Sequence, residues 1–143
     1  MEKSFIRILD TNLNRTKEGL RVIEDSARFV FNNEKIYKQL RTIRHKATSF
    51  LENKYEQLVS ERDSIKDVGR KAVEDKRIDL KNIIIANFKR VEESLRVLEE
   101  YSKLIDFEIA LNYKELRYGV YQIEKDFIKL INVTDACSIE ANE

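Results

Sequence analysis

The chain has 143 residues, enough for one domain with a real core, and 42% of its side chains are apolar while 37% are charged. Its 27 basic residues against 26 acidic ones leave a net charge of +1, which supplies no general field for nucleic acid or an anionic membrane. No apolar run approaches the length of a membrane span, MEKSFIRILD lacks a signal-peptide core, and a single cysteine, Cys137, can close no internal disulfide. A cytoplasmic protein is expected.

Proline is absent and glycine appears three times, so long helices are expected. Ile6, Leu9, Leu13, Thr16, Leu20, Ile23, Ala27 and Val30 recur at alternating spacings of three and four, which is one face of a helix. Asn33 is placed to N-cap a second helix, whose seam begins Ile36, Leu40, Ile43, Ala47 and Phe50. A third seam runs Ile84, Phe88, Val91, Leu95, Leu98, Ser102 and Ile105. A fourth runs Ile109, Tyr113, Leu116, Val120, Ile123, Phe127 and Leu130. Four helices of about 20 to 28 residues predict an all-α antiparallel bundle. Its hairpins occupy about 5–60 and 80–133 of a single domain spanning 1–133. Residues 134–143 lack a pattern and are expected to form a disordered tail.

The chain also repeats itself. NRTKEGLRVIED at 14–25 recurs as KRVEESLRVLEE at 89–100, an offset of 75. Asn12, Arg15, Glu18, Leu20, Arg21, Val22 and Glu24 match Asn87, Arg90, Glu93, Leu95, Arg96, Val97 and Glu99. With a slip of one residue, Tyr37-Lys38-Gln39-Leu40-Arg41 matches Tyr113-Lys114-Glu115-Leu116-Arg117. A duplicated helical hairpin follows, each copy covering the apolar face of the other. Arg21, Glu24, Arg96 and Glu99 are assigned to pairing along their own helices. For Asn12, Arg15, Glu18 and their copies, a shared polar site and a buried structural network stand as equal readings.

Between the hairpins, residues 61–79 hold twelve charged side chains in nineteen and no apolar seam. This connection is either a solvated loop or a functional one. Arg62, Asp63, Asp67, Gly69 and Arg70 cluster within it, setting cations and carboxylates around a glycine suited to phosphate and Mg²⁺. With one histidine, His45, and Cys137 in the tail, neither a zinc site nor a Cys–His nucleophile is supplied. The available chemistry is charge stabilisation of an anionic substrate.

RILDTNLNRTKEGLRVIEDSARF, the IRH at 43–45, RDSIKDVG, ANFKRVEESLRVLEE and LRYGVYQIE together resemble the alternative, monofunctional hydroxymethylpyrimidine phosphate kinase family. The resemblance covers residues 5 to about 130, and that domain is often fused ahead of thiamine phosphate synthase. It implies transfer of the ATP γ-phosphoryl group to a pyrimidine phosphate, with ATP and Mg²⁺ as cofactors. The acceptor is already a dianion near neutral pH, so no general base is needed. Residue types then assign Arg15, Arg90 and Arg62 to catalysis as phosphate clamps. Arg117, Arg44, His45, Gly69 and Arg70 are assigned to substrate phosphates. Asn12 and Asn87 would read the pyrimidine edge. Asp63 and Asp67, with Glu18 or Glu93, would hold Mg²⁺. The expected partners are the substrate and ATP, with no nucleic acid and no membrane. A homodimer and an association with thiamine phosphate synthase are both compatible. Two competing functions are a non-enzymatic helical interaction module and a small helical enzyme of the chorismate mutase kind.

Overall fold

The computed structural model describes the backbone of residues 2–142 and the side-chain surroundings of residues 2–135. Among the described residues there are five α-helices and no strand. Helix α1 spans Lys3–Asp25 and closes in a π-helical turn at Ser26–Val30; α2 spans Glu34–Ser49 and α3 spans Tyr55–Ser60. The second half holds α4, Leu80–Ser102, and α5, Phe107–Asn142. The all-α architecture read from the apolar spacing is the one observed.

Local chemistry sets the boundaries. Asn32 takes the left-handed conformation at φ 48, which asparagine tolerates, and its neighbour Asn33 accepts a hydrogen bond from the Ile36 amide at 2.9 Å. Asn33 is thus the cap that the sequence predicts. Asp79 caps α4 in the same way through the Asn82 amide. Helix α2 is shorter than expected because the chain turns at Leu51, so that both Leu51 and Leu58 enter the core. Residues 134–142, expected as a disordered tail, continue α5 instead. After Gly119 no glycine or proline interrupts that helix, and the Thr134 hydroxyl bonds the Leu130 carbonyl. Glu143 lies outside the described residues.

The four long helices form a ring in which α1 packs on α2 and α4, while α5 packs on the same two. Leu9, Leu20, Ile23, Leu40, Phe88, Leu95, Tyr113 and Phe127 are fully enclosed at its centre. The first and third seams of the sequence lie side by side and run antiparallel: Phe5 stacks near Tyr101, and Thr16 shares a hydrogen bond with Ser94 at 2.7 Å. At the same crossing, a Cβ on Gly19 would stand 2.8 Å from Val91 Cγ2. Under the offset of 75, Thr16 matches Val91 and Gly19 matches Ser94, so these two contacts exchange with one another.

Gly19 is therefore held by close approach, and its backbone conformation is ordinary helix. A Gly19→Ala variant should lower the urea midpoint. Overpacking there, about 1–3 kcal/mol, exceeds the roughly 1 kcal/mol that alanine contributes in a helix interior.

Candidate functional site

On the solvent side of the α1–α4 crossing, the connection 61–79 folds back and borders an open cleft of about 430 Å³. Helix α1 offers Arg7, Asp10, Thr11, Asn14, Arg15 and Glu18, successive positions of one helical face. The connection adds Arg62, Asp63, Ser64 and Asp67, and α4 adds Arg90. What holds the connection down is charge. Its apolar residues Ile65, Val68, Val73 and Ile78 all stand in solvent. Arg62 instead grips the buried Asp10 carboxylate through Nε and Nη2, at 2.6 and 2.8 Å. That hydrogen bond raises the Arg62 pKa, against the opposing pull of burial. Further along, Glu74 accepts from Arg90 Nη1 at 2.8 Å.

The cations of the cleft are thus unequal. Arg62 and Arg90 are already neutralised by carboxylates. Arg15 makes only a bond of 3.3 Å to the Asn12 amide oxygen, and Arg7 has no polar partner among the described residues. Asp63 and Asp67 accept from the amides of Lys66 and Gly69, as turn-forming aspartates do. Gly69 spends its N–H on Asp67 and so does not present it to a ligand. Among the described residues no group of three or more His, Cys, Asp or Glu side chains is placed to hold a metal ion. Of the carboxylates assigned to Mg²⁺, Glu18, Asp63 and Asp67 line this cleft and Glu93 does not.

Several other residues singled out in the sequence lie elsewhere. Arg44 of α2 pairs with buried Glu24 of α1, its Nη2 donating at 3.1 Å, and Arg117 of α5 pairs with buried Glu99 of α4 at 3.0 Å. Burial is the cause: a carboxylate out of water needs a cation, and the second helix of each hairpin supplies it. The expected pairing of Arg21 with Glu24 and of Arg96 with Glu99 also occurs, at 3.9 and 3.1 Å. Asn12 and Asn87 turn their amide N–H groups onto the carbonyls of Ile8 and Ile83 in their own helices. His45 and Arg70 are exposed and do not line the cleft. Glu93 borders a separate hollow between α4 and α5, with Glu92, Arg96, Arg117 and Tyr121.

Arg7, Asp10, Thr11, Asn14 and Ser64 line the cleft but carried no signal in the repeat, because their counterparts differ: Arg7 faces Asn82 in the offset, and Asn14 faces Lys89. For the four on α1, spacing along one helical face was the available clue.

The model of the ThiD2 family matches residues 7–126. The chain belongs to the ThiD2 family. Similar proteins include one from Synechocystis, 39% identical over 95% of this chain, and one from Nostoc punctiforme, 41% identical over 90%. Another, from Rhodopirellula baltica, is 40% identical over 83%. All three are named thiamine-phosphate synthase, and this ThiD2 chain spans 40%, 36% and 33% of their respective lengths. No solved structure matches it. These relatives correct the expected activity. They carry the name of a synthase, a different enzyme from an ATP- and Mg²⁺-dependent pyrimidine phosphate kinase. The kinase assignment is overturned with it. No described helix is long and apolar enough to cross a membrane.

Electrostatics mark one more residue. Burial first, then the neighbouring Glu124 carboxyl, push the Glu92 carboxyl up to about 7, against the pull of Lys89 at 3.4 Å. The fold thus favours the neutral acid, and stability is lost as pH climbs from 4.5 towards 7. Glu92→Gln should be more stable than wild type above about pH 7, by an amount on the order of 1 kcal/mol. The advantage should fade towards pH 4.5 in urea titrations.

Proposed function

We propose that this chain is the helical phosphate-ester-binding part of a thiamine-synthesis protein of the synthase type, and that Arg7 and Arg15 receive the phosphate of a pyrimidine monoester. The observation that carries the reading is the pair of guanidinium groups without a carboxylate partner on one wall of an open cleft. They stand two helical turns apart on α1, with Thr11 and Asn14 between them as neutral donors. A phosphate monoester carries close to two negative charges at neutral pH and three acceptor oxygens. Arginine meets such a group through two parallel N–H bonds.

The rest of the cleft orients the ligand. Asp10 fixes Arg62 by two of its donors, which positions the start of the connection and its Ser64 opposite α1. Glu18, Asp63 and Asp67 surround the anion-binding face with negative charge. They would reject a second, unaccompanied anion and favour one phosphate over a polyanion. The domain's task in this reading is to bind and present a phosphorylated intermediate. Bond making and breaking is not assigned to it.

Calorimetric titration of the chain with a pyrimidine phosphate monoester should show saturable binding. Arg7→Ala and Arg15→Ala should each weaken it by about tenfold or more, the size of a lost charge-assisted hydrogen bond. Both variants should melt close to wild type, because neither arginine is buried or holds an ion pair. Loss of binding in neither variant would remove the cleft as the site.

Glu74 supplies a sharper test. Its carboxylate sits where a ligand oxygen could approach Arg90, and its side chain is 65% exposed, so removing it leaves no buried charge behind. Glu74→Ala should therefore bind the monoester more tightly, by a few-fold. Weaker or equal binding would show that Arg90 does not reach the ligand.

A further inference from the structure

The two halves of the charged connection are held very differently. At its start, Arg62 reaches the Asp10 carboxylate through two hydrogen bonds, and the Asp10 side chain is only 7% exposed. Further on, among the described residues, the stretch 68–77 makes one polar contact with a helix. It is the bond from Arg90 Nη1 to Glu74 Oε1 at 2.8 Å. Its other polar contacts stay inside the connection. The amides of Gly69, Arg70 and Ala72 donate to Asp67 or Gly69, and Arg77 turns back onto Asp75 and Glu74. Apolar anchoring does not replace them, because Val68 and Val73 stand in solvent. This outer half therefore hangs on one ion pair whose side chains are 36% and 65% exposed, and pairs so placed are weak.

Arg90 is also a wall residue of the phosphate cleft, whereas Glu74 is not. The cation that ties down the outer half is thus shared with the ligand site. A phosphate monoester brings close to two negative charges to that wall. It competes with Glu74 for the guanidinium, and its charge repels the carboxylate already there. The Arg62–Asp10 pair resists the same competition, since its carboxylate is buried and is met by two parallel N–H bonds.

Resting on the reading of this cleft as a phosphate site, we propose that the Glu74–Arg90 pair is a ligand-released latch. A phosphate monoester in the cleft takes Arg90 from Glu74 and frees residues 68–77. Arg62 meanwhile keeps the start of the connection, with Ser64, in place against α1. Binding and release are then coupled in both directions. A contact that draws 68–77 away from Arg90 tightens phosphate binding by the same factor by which phosphate promotes release. The closed latch is a brake on affinity, and the segment it frees carries the occupancy of the cleft to the surface.

Trypsin reads the latch directly, because Arg70, Lys71, Lys76 and Arg77 give it four sites in the outer half, and Arg62 and Lys66 give it two near the start. The chain is digested with and without saturating uridine monophosphate or inorganic phosphate, while calorimetry follows binding. Potassium chloride at matched ionic strength controls for screening of the ion pair. Either ligand should speed cutting at the four outer sites by a few-fold, with the two inner sites cut no faster. Glu74→Ala should be cut at the outer sites at the faster rate whether or not ligand is present. Binding that leaves outer cutting unchanged or slowed overturns the latch while the phosphate site stands. So does equal acceleration by potassium chloride, or a ligand effect undiminished in Glu74→Ala. Absence of binding by calorimetry overturns the phosphate reading itself, and the latch with it.

Discussion

The close approach of α1 and α4 at Gly19 and Val91 is the contact on which the other features depend. Without a side chain at Gly19, the two helices meet near enough for Thr16 and Ser94 to share a hydrogen bond inside the core. That approach brings Arg15 and Arg90 to one side of the pair, where the connection can fold over both. A larger residue at the crossing would separate the two arginines as well as loosen the apolar seam. Packing and site geometry are therefore one constraint.

Charge burial settles the next level. Glu24 and Glu99 occupy matching positions of α1 and α4, and each is almost wholly enclosed. Each draws an arginine from the following helix, Arg44 in one hairpin and Arg117 in the other. A buried ion pair is weak evidence of net stability, but removing one member strands the other at a cost of about 3–5 kcal/mol. These pairs bind each hairpin into a fixed register. They also consume two arginines that, by residue type alone, are as fit for phosphate as Arg15. Availability, and not the mere presence of a guanidinium, separates an anion site from a structural pair.

The cleft itself breaks the internal resemblance of the two halves. On α1 the charged connection is gripped through Asp10 and Arg62, whereas the position matching Asp10 on α4 is Ile85 and α4 holds the connection through Arg90 and Glu74. The matching face of α4 carries Lys89, Arg90 and Glu93 where α1 carries Asn14, Arg15 and Glu18. A connection held by ion pairs at two points, with its apolar side chains in water, is poised at the low-stability end of the fold, where ligand-responsive segments are found.

Much of the architecture was legible beforehand. The three-four spacing of Leu9, Leu20, Phe88, Leu95 and Phe127 is a direct consequence of helix geometry, so the seams, the Asn33 cap and the all-α class follow from local chemistry. The ordered motifs that carried the resemblance fall within the ThiD2 match, although the kinase family and the activity inferred from them were not upheld. Which polar residues meet was not legible. Arg44, Arg117, Asn12 and Asn87 look like ligand-binding groups in a string of letters, and they are spent on partners inside the fold. Arg7, Asp10 and Asn14 look like ordinary surface residues, yet they line the cleft. The physical reason is range: apolar periodicity records a property that each helix has by itself. The fate of a charge depends on burial and on which distant group lies within about 3 Å, the reach of a hydrogen bond, and only the packed helices decide that.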